Sequence, residues 1–341
     1  MLTILLVVGS FVLSLSVTTS VRRYAIRHLL MDIPNTRSSH SEPTPRGGGL
    51  AIALTWFLAL TILIVLQRID DWVGMALLGG GGLVAGIGWI DDRRGVSAGM
   101  RATAHALAAV WAVWCLGGLR SLDVGVGVLH LGMAGSILAV VGITWLVNLY
   151  NFMDGIDGLA AGETVMVGLV GGGLLVCAGA NGMALAAISL AAAAGGFAMF
   201  NWPPAKIFMG DVGSGLIGHA FGVLALASER AGAVPVMVWM ILLAVFIVDA
   251  TATLIRRVMN GERWYEAHRS HAYQRAVQAG YSHCQVTMAI MGLDALLAVA
   301  AVGVWAVPSV LPVAVILTGG LLFAVWYGFR RSAPAVVNSI N

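Results

Sequence analysis

The chain has 341 residues, of which 59% are hydrophobic and only 10% are charged, and its mean hydropathy is +0.90. Soluble domains carry about a quarter charged residues, so this composition excludes an ordinary soluble globule, and it also excludes disorder, collagen and a coiled coil. The net charge of +3 is too small to indicate a nucleic-acid partner. Cys115, Cys177 and Cys284 follow no motif spacing, so neither a disulfide framework nor a zinc site is predicted.

Apolar runs long enough to cross a bilayer recur along the whole chain. No alternating strand pattern competes with them, and a bilayer demands helices or a closed barrel. We therefore predict an all-α polytopic integral membrane protein, with one transmembrane domain over residues 1–341. The predicted membrane helices number about eleven and lie near residues 2–20, 48–66, 72–90, 101–117, 131–147, 159–178, 183–200, 213–227, 234–254, 286–306 and 308–328. The first run lacks a basic segment before it, so we expect it to be retained rather than cleaved as a signal peptide.

The basic residues predict the orientation of the chain. If the N-terminus is periplasmic and the C-terminus cytoplasmic, only Arg68, Arg120 and Arg230 of the nineteen lysines and arginines lie outside. Such an excess of positive charge on one side marks the cytoplasmic face. The predicted cytoplasmic loops then cover about residues 21–47, 91–100, 148–158, 201–212 and 255–285.

Five aspartates fall at the cytoplasmic ends of the predicted helices. Asp91 and Asp92 follow the third run, Asp154 and Asp157 follow the fifth, and Asp211 precedes the eighth. Carboxylates gathered near a membrane are costly unless a cation or basic groups compensate them. Oxygen ligands of this kind suit Mg²⁺ or Mn²⁺. The pattern predicts a metal-assisted site on one face of the membrane.

Two glycine-flanked segments add detail to this site. Residues 148–158 carry a polar side chain at every third position, which would place Asn148, Asn151 and Asp154 on one side of a helix. Asp211 opens a helix whose free N–H groups suit an anion or a metal-bound phosphate. The GxGxxG spacing from Gly213 indicates no dinucleotide site, because no strand precedes it.

Two basic loops complete the cytoplasmic face. The first holds Arg37, His40 and Arg46 among rigid prolines, and it suits either a phosphate or anionic lipid. The last holds His268, Arg269 and His271, and the spacing of the two histidines would bring them together in a helix. No third ligand accompanies them, so hydrogen bonds to a diphosphate or sugar are favoured over a zinc pair. We expect Asp249 to pair with an arginine of this loop.

Together these motifs resemble the polyprenyl-phosphate N-acetylhexosaminyl-1-phosphate transferase family. The similarity extends from Asp32 to Tyr281 and rests on five ordered segments: PNTRSSHSEPTPRGGG at 34–49, DDRRG at 91–95, NLYNFMDGIDGLAAGE at 148–163, FMGDVGS at 208–214 and the block from Asp249 to Gln274. The last loop reads AHRSHAYQR and lacks the consecutive histidines of the peptidoglycan members. The resemblance therefore favours the branch that starts O-antigen or other surface polysaccharides.

This resemblance implies transfer of an N-acetylhexosamine 1-phosphate from a UDP-sugar to undecaprenyl phosphate, with release of UMP. The reaction would occur on the cytoplasmic side of the bacterial inner membrane and use Mg²⁺, with Mn²⁺ as a substitute. The roles it implies are catalysis by Asp91, Asp92, Asp154 and Asp157, metal binding by Asn151 and Asp211, and substrate binding by Arg37, His40, Arg46, Asn148, His268, Arg269 and His271. Asp91 or Asp92 would be the base that keeps the lipid phosphate ionised.

Several alternatives stay open at this point. The chain could be a phospho-MurNAc-pentapeptide transferase, or an ion-coupled secondary transporter that uses a charge in the middle of a span, for which only Asp294 lies deep enough. The donor could carry N-acetylglucosamine, N-acetylfucosamine or N-acetylquinovosamine. An aspartyl-phosphate intermediate and a homodimer are also compatible with the sequence.

Overall fold

The computed structural model describes residues 1–34, 42–263 and 268–332, and these residues are predominantly helical. The helices are α1 Leu2–Arg27, α2 Gly49–Val65, α3 Asp71–Met75, α4 Gly81–Arg94, α5 Ala98–Leu116, α6 Gly132–Met153, α7 Leu159–Cys177, α8 Asn181–Asn201, α9 Asp211–Arg230, α10 Val236–Leu242, α11 Ala244–Met259, α12 Ala272–Gln278, α13 His283–Ala306 and α14 Leu311–Ser332. A π-helical segment, Ala76–Gly80, joins α3 to α4, and a 3₁₀ turn, Pro308–Val310, precedes α14.

The strands are short and form two antiparallel pairs. Strand β1 (Met31–Asp32) pairs with β2 (Thr44–Pro45), and β3 (Ser121–Asp123) pairs with β4 (Val128–His130). The first pair lies on the side of the molecule where the aspartates gather. The second pair connects the C-terminus of α5 to the N-terminus of α6, at the end of these helices away from the aspartates.

The all-α membrane architecture predicted from the sequence is confirmed. Within the described ranges, eight helical stretches are long and apolar enough to cross a membrane: α1, residues 71–94, α6, α7, α8, α9, α13 and residues 308–329. The ninth predicted run is not a straight helix, because α10 and α11 meet at a bend of 79°. All eleven apolar runs coincide with helical segments, but eleven membrane crossings and their orientation stay predictions.

Helix α9 is the centre of the bundle. Its side chains from Val212 to Ser228 are all buried, with α2, α4, α6 and α10 packed around it. Large buried side chains such as Trp239 and Phe221 fill the interior, with their ring centroids 6.1 Å apart in a tilted arrangement. In a lipid environment, close packing of this kind provides much of the association energy between helices. The N-terminus of α9, which carries Asp211, is therefore held firmly in place.

A glycine allows α4 to approach this N-terminus. A Cβ atom on Gly88 would lie 2.6 Å from the backbone carbonyl of Asp211, which is too close for any other residue. Gly210, directly before α9, has φ +77°, a left-handed conformation that side chains with a Cβ rarely adopt. These two glycines bring the last turn of α4 and the first turn of α9 into direct contact.

Candidate active site

Four carboxylates from three parts of the fold converge at one end of the bundle. Asp91 and Asp92 lie in the last turn of α4, Asp154 follows α6, and Asp211 begins α9. We call these four residues the carboxylate cluster. Two arginines enter it, Arg46 from the segment before α2 and Arg101 from the first turn of α5. The expected convergence of these aspartates on one face is therefore present in the structure.

Backbone hydrogen bonds bring Arg46 to the cluster. At and after the end of strand β2, the backbone forms hydrogen bonds with residues 208–209. The Phe208 N–H donates to the Pro45 carbonyl at 2.8 Å, and the Gly48 N–H donates to the Phe208 carbonyl at 2.9 Å. The Arg46 Nη2 atom then lies 2.8 Å from Asp92 Oδ1 and 2.9 Å from Asp211 Oδ1. The guanidinium thus bridges two carboxylates of the cluster. Arg37 and His40, which were predicted to bind beside it, lie outside the described residues.

Asp92 caps the helix that carries Asp211. Its Oδ1 accepts from the Asp211 N–H at 3.0 Å, and its Oδ2 accepts from the Val212 N–H at 3.4 Å. The expectation that these N–H groups are free for an anion is therefore wrong, because a carboxylate from α4 already satisfies them. A negative charge at a helix N-terminus is also favoured by the helix dipole.

Asp91 is bound on the other side by Arg101. The Arg101 Nη1 atom lies 2.5 Å from Asp91 Oδ2 and 3.6 Å from Asp211 Oδ2, while the Val96 N–H donates to Asp91 Oδ1. Arg101 was not among the predicted site residues. Arg101 lies in the first turn of a helix, where the dipole disfavours a cation. This position could have indicated that an anionic group holds it there.

The two asparagines differ in their relation to the cluster. Asn151 donates through Nδ2 to Asp211 Oδ1 at 2.9 Å and to Ser214 Oγ at 3.2 Å, so its nitrogen rather than its oxygen faces Asp211. Asn148 donates to the Thr144 carbonyl one turn earlier and hydrogen bonds to His105. A metal-ligand role for Asn151 would need its amide oxygen and stays a prediction.

The charges of the cluster suit a divalent cation. Four carboxylates face two arginines, which leaves a net charge of −2 when all are ionised. Burial and the neighbouring Asp211 carboxylate raise the pKa of Asp154 well above its ordinary value, although Arg46 and the Gly210 N–H oppose the rise. Among the described residues no three acidic, histidine or cysteine side chains form a ready-made metal site. The donor chemistry nevertheless fits Mg²⁺, since oxygen ligands are present and the two arginines do not compensate four ionised carboxylates.

A cavity of about 430 Å³ opens beside Asp211. Its polar lining comes from Arg101, His105, Asn148 and Asn151, and its apolar lining includes Trp145, Phe152 and Leu254. Both charged and apolar surfaces are therefore available next to the cluster. His105 lines this cavity together with Asn148.

Asp157 has a different environment from the cluster. Its Oδ2 accepts from the Ala205 N–H at 3.0 Å and lies 3.3 Å from His283 Nδ1 at the start of α13. The next residue, Gly158, donates to the Asn201 side chain at 3.0 Å. These contacts tie the turn after α6 to the ends of α8 and α13. The catalytic role predicted for Asp157 stays a prediction, and His283 is its unexpected partner.

The two histidines of the last loop are neighbours, but not because they share a helix. Helix α12 begins at Ala272, after both of them, yet their ring centroids lie 4.9 Å apart. His271 is only 3% exposed, whereas His268 is partly exposed and Arg269 is exposed. His268 and Arg269 are therefore the more accessible of the predicted substrate-binding residues in this loop.

The environment of His268 defines its protonation. The Ser270 N–H donates to His268 Nδ1 at 3.4 Å, and the Ser270 hydroxyl lies 2.9 Å from the same atom. Burial, followed by the adjacent His271, lowers the pKa of His268 to about 3. The imidazole is thus neutral at physiological pH, with its proton on Nε2. In this state it can donate one hydrogen bond to an oxygen of a substrate.

Asp249, which was expected to pair with an arginine of this loop, contacts backbone N–H groups, a hydroxyl and a histidine among the described residues. Its Oδ1 accepts from the Ala272 N–H at 2.9 Å and from the Thr253 hydroxyl at 3.2 Å, and it lies 3.5 Å from His271 Nδ1. The buried carboxylate satisfies the N–H groups that open α12.

Comparisons with known proteins agree with the motifs. The model for glycosyl transferase family 4 matches residues 72–229. A decaprenyl-phosphate N-acetylglucosaminephosphotransferase of Mycobacterium tuberculosis is 35% identical over 308 residues, which cover 80% of this chain and 75% of the relative. A probable undecaprenyl-phosphate N-acetylglucosaminyl 1-phosphate transferase of Bacillus subtilis is 30% identical, over 87% of this chain and 84% of the relative.

A third relative is more distant. An undecaprenyl-phosphate alpha-N-acetylglucosaminyl 1-phosphate transferase of Escherichia coli K12 is 29% identical over 81% of this chain and 77% of its own length. All three matches cover most of both chains. The protein therefore belongs to glycosyl transferase family 4, among the polyprenyl-phosphate N-acetylhexosamine-1-phosphate transferases that its motifs resemble.

Proposed function

We propose that the protein transfers N-acetylglucosamine 1-phosphate, or a closely related N-acetylhexosamine 1-phosphate, from a UDP-sugar to a polyprenyl phosphate. The single observation that carries the proposal is the carboxylate cluster, with Arg46 and Arg101, at the helix ends beside a cavity. A site of this charge suits the meeting of two phosphorylated substrates, because their approach needs both a cation and basic side chains.

In the proposed reaction, an oxygen of the lipid phosphate attacks the phosphorus that bears the sugar. A P–O bond forms to the lipid, and the bond from that phosphorus to the bridging oxygen of the diphosphate breaks. UMP leaves with the bonding electron pair, and the product is a polyprenyl-diphosphate sugar. The reaction requires no net proton transfer if the lipid phosphate enters as a dianion, and the second pKa of a phosphate monoester lies near about 6.

Asp211 is the proposed metal ligand, with Asp154 and Asn151 beside it. When bound, Mg²⁺ would neutralise the diphosphate and polarise its oxygens. Arg46 and Arg101 are oriented by the same carboxylates and would attract the phosphate groups into the site. Asp91 or Asp92 is the proposed base for the lipid phosphate. Both carboxylates also accept hydrogen bonds, Asp91 from Arg101 and the Val96 N–H and Asp92 from the N–H groups that open α9.

Direct transfer is favoured over a covalent aspartyl-phosphate intermediate. Asp91, Asp92 and Asp211 each accept from at least two donors, among them the backbone N–H of Val96, the Arg46 guanidinium and the Asn151 amide. A carboxylate that is hydrogen bonded in this way is a weaker nucleophile, because its negative charge is already stabilised. The dianionic phosphate of the lipid carries more charge than a carboxylate.

The cavity beside Asp211 is the proposed entry for the lipid phosphate. Its apolar wall includes Trp145 and Leu254, and Arg101 lies at its polar end. An isoprenoid chain could remain against apolar side chains while its phosphate reaches the cluster. The histidine loop, with His268 as a neutral donor, is then the proposed contact for the diphosphate or the sugar of the donor.

The biological setting is proposed to be the first membrane step of a surface polysaccharide such as O-antigen. The absence of consecutive histidines in the sequence AHRSHAYQR supports this over peptidoglycan synthesis. The relatives named above act, by their names, on N-acetylglucosamine, which makes UDP-N-acetylglucosamine the first donor to test. We further propose that the reaction faces the cytoplasm of the inner membrane.

Reporter fusions test this orientation. Fusions after Leu66 and within residues 120–130 are expected to read periplasmic, while fusions near residues 40, 95, 205 and 265 are expected to read cytoplasmic. A periplasmic signal near residue 265 alone would separate the histidine loop from the carboxylates. That result would contradict a single active site on one face.

A donor panel tests the reaction. Purified protein in detergent, with Mg²⁺, is supplied with undecaprenyl or decaprenyl phosphate and with UDP-linked N-acetylglucosamine, N-acetylfucosamine, N-acetylquinovosamine or MurNAc-pentapeptide. We expect release of UMP with at least one of the first three donors and a lipid product of the matching mass. UMP release with MurNAc-pentapeptide alone would assign the protein to peptidoglycan synthesis instead.

A further inference from the structure

The bent segment formed by α10 and α11 holds a buried aspartate that the proposed reaction does not use. Asp249 lies in the second turn of α11 and is 6% exposed. Its carboxylate accepts from the N–H groups of Ala272 and Tyr273, at 2.9 and 3.4 Å, across 23 or 24 residues of chain. A buried carboxylate with several donors is fixed in position, since moving it would leave those donors unsatisfied.

Contacts on both sides of Asp249 make this arrangement rigid. Thr253, one turn further along α11, donates to Asp249 Oδ1 at 3.2 Å, and the Trp326 indole of α14 reaches the Thr253 hydroxyl at 3.1 Å. A chain of hydrogen bonds therefore runs from α14 through α11 to the start of α12. The carboxylate is anchored in the membrane bundle, whereas the groups that it binds belong to the histidine loop.

Helix α12 is in turn connected to the turn that carries Asp154. The Tyr273 hydroxyl donates to the Phe152 carbonyl at 2.8 Å and lies against Gly155, where a Cβ atom would collide with it. The His271 ring is stacked against both Phe152 and Tyr273, with centroid distances of 6.2 and 5.8 Å. Asp249 thus holds one end of an assembly whose other end reaches the carboxylate cluster.

His271 is too buried to be the main substrate contact, and it lies between Asp249 and His268. Its Nδ1 atom is 3.5 Å from Asp249 Oδ1, and its ring centroid is 4.9 Å from that of His268. His268 is the partly exposed member of the series. The order Asp249, His271, His268 therefore leads from the bundle interior to the accessible surface of the loop.

We propose that Asp249 is a positioning residue which, through α12 and His271, sets the orientation of His268 toward the UDP-sugar. The inference rests on the proposed function, in which His268 contacts the donor substrate. Asp249 itself touches neither substrate. Its replacement should therefore weaken use of the UDP-sugar while leaving the lipid substrate unaffected.

The test compares Asp249→Ala and Asp249→Asn with a matched control, Asp70→Ala. Asp70 performs the same capping chemistry for α3, accepting from the Trp72 and Val73 N–H groups at 2.9 and 3.1 Å, but it lies at the opposite end of the bundle. We expect Asp249→Ala to raise KM for the UDP-sugar by about tenfold or more, with KM for the polyprenyl phosphate within about twofold of wild type. Asp70→Ala should change neither constant.

A double-mutant cycle separates positioning from general destabilisation. If Asp249 acts through His271, combining Asp249→Ala with His271→Ala should cost no more than the larger single effect, because both remove the same link. Independent effects would multiply. Multiplicative loss, an unchanged KM for the UDP-sugar, or an equal rise in both KM values would overturn the proposal. If the alanine variant does not fold, Asp249→Asn takes its place in the cycle, since it keeps the shape of the side chain and one acceptor.

A second readout does not depend on turnover. The rate at which diethyl pyrocarbonate modifies His268, followed by peptide mass spectrometry, reports the exposure and orientation of the ring. We expect a severalfold faster rate in Asp249→Ala and no change in Asp70→Ala, and equal rates in all three proteins would overturn the positioning role. Absence of wild-type UMP release would contradict the proposed reaction, while wild-type turnover with an unaffected Asp249→Ala variant would contradict the positioning role alone.

Discussion

Two groups of buried carboxyl side chains in this protein differ in what surrounds them. The carboxylate cluster lies at helix ends, where Arg46, Arg101 and backbone N–H groups donate to it and a cavity adjoins it. Glu163 of α7 and Asp294 of α13 instead face each other inside the bundle, at most 2% exposed. No donor from the rest of the described chain reaches any of their four oxygens.

Since both groups are buried but have different surroundings, burial alone does not mark an acidic side chain as catalytic. Two carboxyl groups that share a hydrogen bond need a proton on one of them, so Glu163 and Asp294 carry at most one charge between them and suit a link between helices. The carboxylate cluster instead lies next to basic groups and a cavity, which are the surroundings expected of the proposed phosphate and metal site. Asp294 was the deep residue on which the transporter alternative depended, and Glu163 is its partner.

The largest effect should follow from Asp211→Asn. This change removes the proposed metal ligand and the charge that orients Arg46, so we expect turnover to fall by at least about 10³-fold. Membrane insertion and the yield of folded protein should match wild type, which gel filtration in detergent would check. Excess chelator should likewise stop the wild-type enzyme. Full activity of the variant, or of the wild type in chelator, would remove Asp211 from the chemistry.

Asp91 and Asp92 should respond differently to pH. If Asp91 is the base, Asp91→Asn should lose on the order of 10²–10⁴ in rate, and less at high pH, where the lipid phosphate ionises unaided. Asp92→Asn should lose activity equally at all pH values, because it disturbs the cap that positions Asp211. Profiles of kcat/KM from pH 6 to 9 check this. Parallel profiles for the two variants would assign both aspartates the same role.

Replacing Asp154 should show how much its buried charge lowers the free energy of unfolding. Its raised pKa in the folded protein means that ionisation opposes folding once the pH exceeds the unfolded value of about 3.9. Asp154→Asn removes this cost, so without metal we expect the variant to be more stable than wild type at pH 7–8. The difference should vanish as the pH falls toward about 4, where both states are protonated.

Thermal unfolding in detergent, with and without Mg²⁺, measures this effect. Added Mg²⁺ should reduce the difference in stability between Asp154→Asn and wild type, because the cation supplies positive charge that stabilises the wild type. A variant that is less stable than wild type at pH 8 without metal would show that Asp154 forms favourable contacts instead. The excess negative charge assigned to the cluster would then be wrong.

The smallest effect should come from the interior pair. Glu163→Gln keeps the shape of the side chain and lets an amide N–H donate to Asp294, so we expect activity within about twofold of wild type. Glu163→Ala should lower thermal stability, because it leaves Asp294 buried without a partner. A loss of turnover in Glu163→Gln comparable to that of Asp211→Asn would abolish the distinction between the two groups.

Much of this architecture could be predicted because it depends on local sequence. Apolar run length placed every main helix, and the positions of the aspartates at run ends predicted their convergence. The contacts that define the site could not be predicted, because they join residues far apart in the chain. Asp92 caps a helix that begins 119 residues later, and Asp249 caps one that begins 23 residues later. The neighbouring histidines were predicted correctly, but from a helix that begins only after them.

In the proposed reaction, phosphorus, and not the sugar alone, passes to the lipid. UDP-N-acetylglucosamine radiolabelled at the phosphorus next to the sugar, incubated with undecaprenyl phosphate, Mg²⁺ and the purified protein, tests it directly. We expect the label to appear in the lipid product and unlabelled UMP to be released in equal amount. Label retained in released UDP, or label released as a soluble phosphate without the lipid acceptor, would contradict it.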